Sequence, residues 1–162
     1  MTQAIASQKP FEAERDTASP NRNLAPVTTG LDERDRLMVG GCLLSELAQR
    51  YGTPLYVLDE ETVRGTCRAY RDALKRHYPG PSLPIYASKA NSSLVMSSLT
   101  ASEGLGLDAV SAGELLTALR GGMPGERMVL HGNNKSDEEL LLAYANKVTI
   151  VVDNQHDLCL LY

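Results

Sequence analysis

Ile85-Tyr-Ala-Ser-Lys-Ala-Asn91 puts a lysine at the end of a short, otherwise apolar extended run, and the rest of the chain is read outward from it. Side chains alternate across a strand, so Ile85, Ala87 and Lys89 are expected on one face. From Leu83 onward, short apolar runs alternate with segments of helical period, the pattern of β-α units building a parallel sheet. Strands are expected over 84–88, 106–110, 128–131 and 148–152, with helices over about 92–103, 112–119, 137–145 and from 154 onward. Val148-Thr-Ile-Val-Val152 is β-branched almost throughout and is expected to be buried on both faces. The fold class that follows is α/β: a partial (β/α)8 TIM-type barrel holding about the first four β-α units.

Before that stretch, Asp59 suits an N-cap for a helix over 60–77, which Tyr78-Pro-Gly-Pro81 ends with turn chemistry. Tyr51-Gly-Thr-Pro54 breaks the chain ahead of an extended run, Leu55-Tyr-Val-Leu58, and Leu43, Leu44 and Leu47 stand at near-helical spacing. Residues 1–36 mix Pro, Asn, Thr and charges without a sustained period and are expected to form a flexible extension. Residues 37–58 then make an entry segment and 59–162 the N-terminal half of the barrel. Tyr162 falls within an apolar helical pattern that lacks a C-cap, so the chain is expected to stop before closure. Residues 37–162 are about half of the roughly 250 that a closed barrel takes.

Composition removes several function classes. A net charge of -4 provides no basic surface for nucleic acid. No apolar stretch approaches the roughly 18 residues of a membrane span, and Glu12, Glu14 and Asp16 stand where a signal peptide has its apolar core, so a cytoplasmic location is expected. Cys42, Cys67 and Cys159 form no CxxC pair and are expected to be reduced, buried apolar residues. His77, His131 and His156 lack the spacing of helical metal ligands, and no metal is expected.

The position of Lys89 suits covalent chemistry. Catalytic groups of β/α barrels gather at the C-terminal ends of the strands, and apolar surroundings favour the neutral amine that attacks an aldehyde. A solvated loop lysine is the competing reading of the same residue. Asp108 can face Lys89 from the next strand or cap the helix starting near Ser111. Ser111-Ala-Gly-Glu114 has capping-box spacing, which accounts for Glu114 without a function. His131 and Asn133 can line the site or tie down the loop before Ser136, a candidate N-cap. Gly104-Leu-Gly106-Leu-Asp-Ala109 satisfies the dinucleotide fingerprint in letter only, because its glycines end a helix and begin a strand, with Gly104 read as the helix stop.

Tyr86-Ala-Ser-Lys89-Ala-Asn91 resembles the Tyr-Ala-x-Lys-x-Asn element of the fold-type III pyridoxal-phosphate (PLP) decarboxylases. The resemblance extends through Tyr51-Gly-Thr-Pro54, Glu103-Gly-Leu-Gly-Leu-Asp108-Ala-Val-Ser-Ala-Gly-Glu114, Leu130-His-Gly-Asn-Asn-Lys135-Ser and Val151-Val-Asp153. The His131 block is similar to the diaminopimelate branch rather than the ornithine or arginine branches. The resemblance implies PLP as cofactor, Lys89 as its anchor and catalytic lysine, and Asp108, Glu114 and His131 near it, with Lys135 the next candidate anchor. It further implies decarboxylation of a small amino-acid substrate, meso-diaminopimelate, to L-lysine, and a homodimeric full-length form. The groups that cradle the phosphate and read the substrate would come from later strands and a C-terminal β domain, so this span is expected to be inactive alone. A non-catalytic PLP-binding barrel and a degenerate interaction module are the alternatives.

Overall fold

The computed structural model describes residues 24–161. The chain divides into two compact units, one ending at Thr62 and one starting at Val63.

The first unit is built on a three-stranded antiparallel sheet of β1 (Gly30–Leu31), β2 (Leu37–Val39) and β3 (Cys42–Leu43), followed by α1 (Leu44–Tyr51). The β1–β2 turn is made by Asp32, whose Oδ1 accepts from the amides of Arg34 and Arg36 while its Oδ2 accepts from Arg36 Nε at 2.7 Å. Gly40 and Gly41, both at positive φ, turn β2 into β3, as a two-residue hairpin requires. The expected flexible stretch 1–36 is therefore corrected over 24–36, which carries β1 and this turn; residues 1–23 lie outside the described residues. Strands of two residues are too short to show a hydrophobic period. Asp59 caps the next helix as expected, its Oδ2 accepting from Thr62 N at 3.0 Å, and Thr28 Oγ1 donates to its other oxygen at 2.8 Å. Residues 55–58 form no strand and are exposed.

That helix, α2 (Glu60–His77), runs on through the second unit, whose sheet consists of β4 (Ile85–Ala87), β5 (Gly106–Ala109), β6 (Met128–Leu130) and β7 (Thr149–Ile150). All pairings are parallel and the strands lie in chain order. Between and after them come α3 (Leu94–Ser102), α4 (Ala112–Arg120), α5 (Asp137–Ala145) and α6 (Gln155–Leu160). Doubly wound sheets reverse their strand order at a switch point, whereas a β/α barrel adds strands in sequence. This unit is an arc of an α/β barrel.

The two faces of the arc differ. Leu107, Ala109, Met128 and Leu130 are buried in one cluster with Leu115 and Ala118 of α4 and Leu140 and Ala143 of α5. The alternate residues Ala87, Asp108, Val129 and Thr149, adjacent through the register, are half-buried or exposed. The expectation that residues 148–152 form a strand buried on both faces is corrected here: only Thr149–Ile150 is strand, and Thr149 is exposed. Among the described residues β7 pairs with β6, and of its two residues Ile150 packs against the core while Thr149 is exposed.

Three helices stop in the same way. After α3, α4 and α5, the residues Gly104, Gly122 and Lys147 take positive φ and donate to the carbonyls of Ala101, Leu119 and Tyr144. The following residues, Leu105, Met123 and Val148, donate to Thr100, Ala118 and Ala143 and bury their side chains. Each is the double hydrogen bond of a Schellman stop. Gly104 as a helix stop agrees with the sequence reading, which also removes the dinucleotide fingerprint. Of these three stops, only the one at Lys147 places a side chain in the left-handed region, at φ 59°. Lys147→Gly is expected to raise stability by about 1 kcal/mol, since its ion pair with Glu126 joins two exposed groups and contributes little. A lower chemical-denaturation midpoint in the full-length protein would contradict this.

At the C-terminal end of α3, Glu103 is buried and receives three arginines from successive turns of α2. Arg64 Nη1 donates to it at 3.0 Å, Arg68 binds it through Nε and Nη2 at 2.8 Å each, and Arg71 Nη1 reaches its backbone carbonyl at 3.0 Å. The hydrogen bonds from Arg68 and then Arg64 hold the carboxyl at about 2, against burial that pushes it up. Cys67, between these arginines on α2, is buried, and burial pushes its thiol up. Cys42 and Cys159 are exposed, which corrects the expectation for those two. Among the described residues no helix is long and apolar enough to cross a membrane, and no three His, Cys, Asp or Glu groups converge as metal ligands.

Candidate active site

The loops leaving the C-terminal ends of β4, β5, β6 and β7 share one edge of the sheet, because the strands are parallel and in register. Lys89 is in the first loop. β4 ends at Ala87 and the chain tightens into a 3-10 turn over Ser88–Ala90, with Ser88 buried and Lys89 exposed. The expected strand alternation through Lys89 stops at this turn. The expected apolar enclosure of its amine is not formed by the described residues.

The two ends of the motif hold that turn. Tyr86, part-buried against the helix-covered core, donates its hydroxyl to the carbonyl of Asn91 at 3.1 Å. Asn91 Oδ1 accepts from Ser93 N at 3.0 Å, which leads into α3. Burial pushes the Tyr86 phenol up, so it stays a hydrogen-bond donor at neutral pH. Tyr86→Phe is expected to leave the fold intact and loosen the Lys89 turn, raising amide exchange at residues 88–91 several-fold; unchanged exchange would show that the hydroxyl does not hold it.

Asp108 is the register partner of Ala87, two residues before Lys89, on the sheet face free of helices. It does not cap α4: Ser111 does, accepting from Glu114 N at 3.3 Å. Glu114 Oε2 in turn accepts from Val110 N at 2.6 Å, one residue before the position that a capping box uses. Its carboxylate thus ties down the loop after β5. Glu139 joins neighbouring repeats: it completes a capping box with Ser136 at the start of α5, and its Oε1 accepts from Ala112 N at 2.9 Å.

In the third loop, His131 is exposed and its amide continues the sheet by donating to Ala109 O at 2.9 Å. Asn133 is exposed as well. Lys135, which is buried, donates to Gly132 O and to Asp157 Oδ2, both at 2.5 Å, with Asp153 Oδ1 3.7 Å away. An amine so engaged is ill suited to bind an aldehyde, which sets Lys135 aside as an alternative anchor. Asp157 was not singled out from the sequence. It lies one full repeat beyond Lys135, and no local spacing connects the two.

An exposed primary amine with a carboxylate on the adjacent strand, both at the C-terminal edge of a barrel arc, can hold an aldehyde-bearing cofactor covalently and manage the amine's proton. The donor set fits PLP. Residues 60–162 match the family described as "Pyridoxal-dependent decarboxylase, pyridoxal binding domain". The chain is 44% identical over 144 residues to a diaminopimelate decarboxylase of Synechocystis, covering 84% of this chain and 31% of that protein. With the diaminopimelate decarboxylase of Bacillus subtilis it shares 43% identity over 140 residues, covering 83% and 30%. Among solved structures it is similar to diaminopimelate decarboxylase from M. jannaschii, at a TM-score of 0.75 and 34% identity over 82% of this chain and 31% of that one, a protein also solved in complex with L-lysine. The chain spans about a third of the length of these relatives.

Proposed function

The chain belongs to the pyridoxal-dependent decarboxylases through their pyridoxal-binding domain, and from that premise we propose that the protein carrying this span is a carboxy-lyase converting meso-diaminopimelate to L-lysine and CO2. The reading rests above all on Lys89, an exposed amine at the end of the first strand of the arc. Relatives at 40–44% identity that are named diaminopimelate decarboxylase support the substrate.

In this reading Lys89 anchors the cofactor aldehyde through its ε-amine and, once freed by the substrate's amino group, carries a proton to and from the reacting carbon. The bound cofactor supplies the electron sink for the pair left behind when CO2 departs. Asp108, on the strand next to the one that leads into the Lys89 turn, supplies an acidic group on the cofactor side of the sheet. Glu114 keeps the loop after β5 in place, and His131 lines the rim beside the cofactor. The working form is a cytoplasmic homodimer.

The test is product analysis with the full-length protein and PLP. L-lysine and CO2 are expected from meso-diaminopimelate, with little turnover of L-ornithine or L-arginine; preferred turnover of either would overturn the substrate. The 162-residue chain alone is expected to release no CO2 above a Lys89→Ala control, even with added PLP. Light scattering on the full-length protein checks the dimer.

A further inference from the structure

Lys135 and Asp157 form the most deeply buried ion pair among the described residues, with side chains 2% and 0% exposed. They connect the loop after β6 to the first turn of α6. Lys135 closes the loop after β6 on itself through Gly132 O, and binds the first turn of α6 through Asp157 Oδ2. Asp157 is itself held, since its amide donates at 2.8 Å to Oδ1 of Asn154, the N-cap of α6. Gly132 has φ 129°, a backbone conformation that side-chain-bearing residues rarely adopt. The lysine's third donor has Asp153 in reach.

The hydrogen bond from Lys135 holds the Asp157 carboxyl below its ordinary range against burial that pushes it up, so the pair stays ionised, but its net contribution to stability is small. Two fully desolvated charges recover their desolvation cost only with every lone pair satisfied, and well-packed apolar residues commonly do as well or better. Here Asp157 Oδ1 is buried without a hydrogen-bond partner among the described residues, so the recovery is incomplete. The Glu103 cluster, at the opposite end of the strands, contrasts with it: its arginines keep 28–54% of their side-chain surface in solvent. What a buried ionic contact supplies in return is a single geometry.

We propose that Lys135 and Asp157 are positioning residues: their ion pair fixes the 131–135 loop against α6 and so holds the rim of the cofactor site in one arrangement. The functional part of this inference rests on the PLP reading of the site. The pair acts through the loop and touches neither substrate nor cofactor.

The experiment uses the full-length holoenzyme and the double variant Lys135→Met/Asp157→Leu, which replaces both charges with apolar side chains of similar volume. A thermal midpoint close to wild type is expected together with at least about tenfold weaker PLP binding, a lower kcat at similar KM, and faster amide exchange confined to residues 131–136. Wild-type PLP affinity and wild-type exchange in a folded double variant would overturn the proposal. Should the double variant fail to fold, Asp157→Asn keeps shape and a hydrogen-bond acceptor while removing the charge. Native exchange at 131–136 in that variant overturns the proposal equally. The exchange measurement needs no cofactor, so a wild-type protein that takes up no PLP would refute the function reading while the loop measurement still decides this one.

Discussion

Lys89→Ala in the full-length protein is expected to abolish the borohydride-trapped PLP adduct and lower decarboxylation by at least about a thousandfold. The magnitude follows from the two roles of one amine: it holds the cofactor covalently and it moves the proton that completes each turnover. No neighbour replaces it. Lys135, the lysine of the third loop, has its ammonium bound to Gly132 O and Asp157. Lys89 is exposed in a short turn, so its removal is expected to change stability by no more than about 0.5 kcal/mol. Loss of activity with an unchanged melting curve therefore separates chemistry from folding. A trapped adduct that persists on the alanine variant would assign the anchor to another lysine.

The second large effect concerns stability. Glu103→Ala is expected to cost about 2–4 kcal/mol at neutral pH, because three arginines of α2 lose the carboxylate that they converge on. The same contact gives a defined pH dependence. The carboxyl is held at about 2 in the folded protein against an ordinary value of 4.5. The unfolded chain therefore binds the proton first, and the stability due to Glu103 is fully present above about pH 5 and lost as pH falls toward 2. Glu103→Gln should flatten that acid limb while lowering the neutral plateau. An acid limb identical to wild type would show that other carboxylates dominate it.

Local signals were legible in the sequence, and contacts across the repeat were not. Asp59, Ser136 and Gly104 announce helix ends because their partners lie within a few residues. The alternation of apolar runs conveyed the arc for the same reason, although it overextended the edge strand at 148–152. β1 escaped notice because its only support is pairing with β2. At the site, the resemblance pointed to Lys89, but the work of Tyr86 and Asn91 in holding its turn became visible only from their hydrogen bonds. Asp108 and Ser111 were both acceptable caps for α4, and geometry alone decides for Ser111. Glu139 reaching Ala112 and Lys135 reaching Asp157 cross 27 and 22 residues. Such pairs carry no short-range pattern.

The Schellman stops also bear on how the arc forms. Each returns the chain from helix to the next strand within a few residues, so every strand meets its neighbour after one short excursion and sequence-distant closure is not needed for the middle of the sheet. Leu107, Ala109, Met128 and Leu130 of β5 and β6 are at most 1% exposed and pack in one cluster with α4 and α5. Assembly should therefore nucleate at the β5–β6 pair and grow outward one repeat at a time.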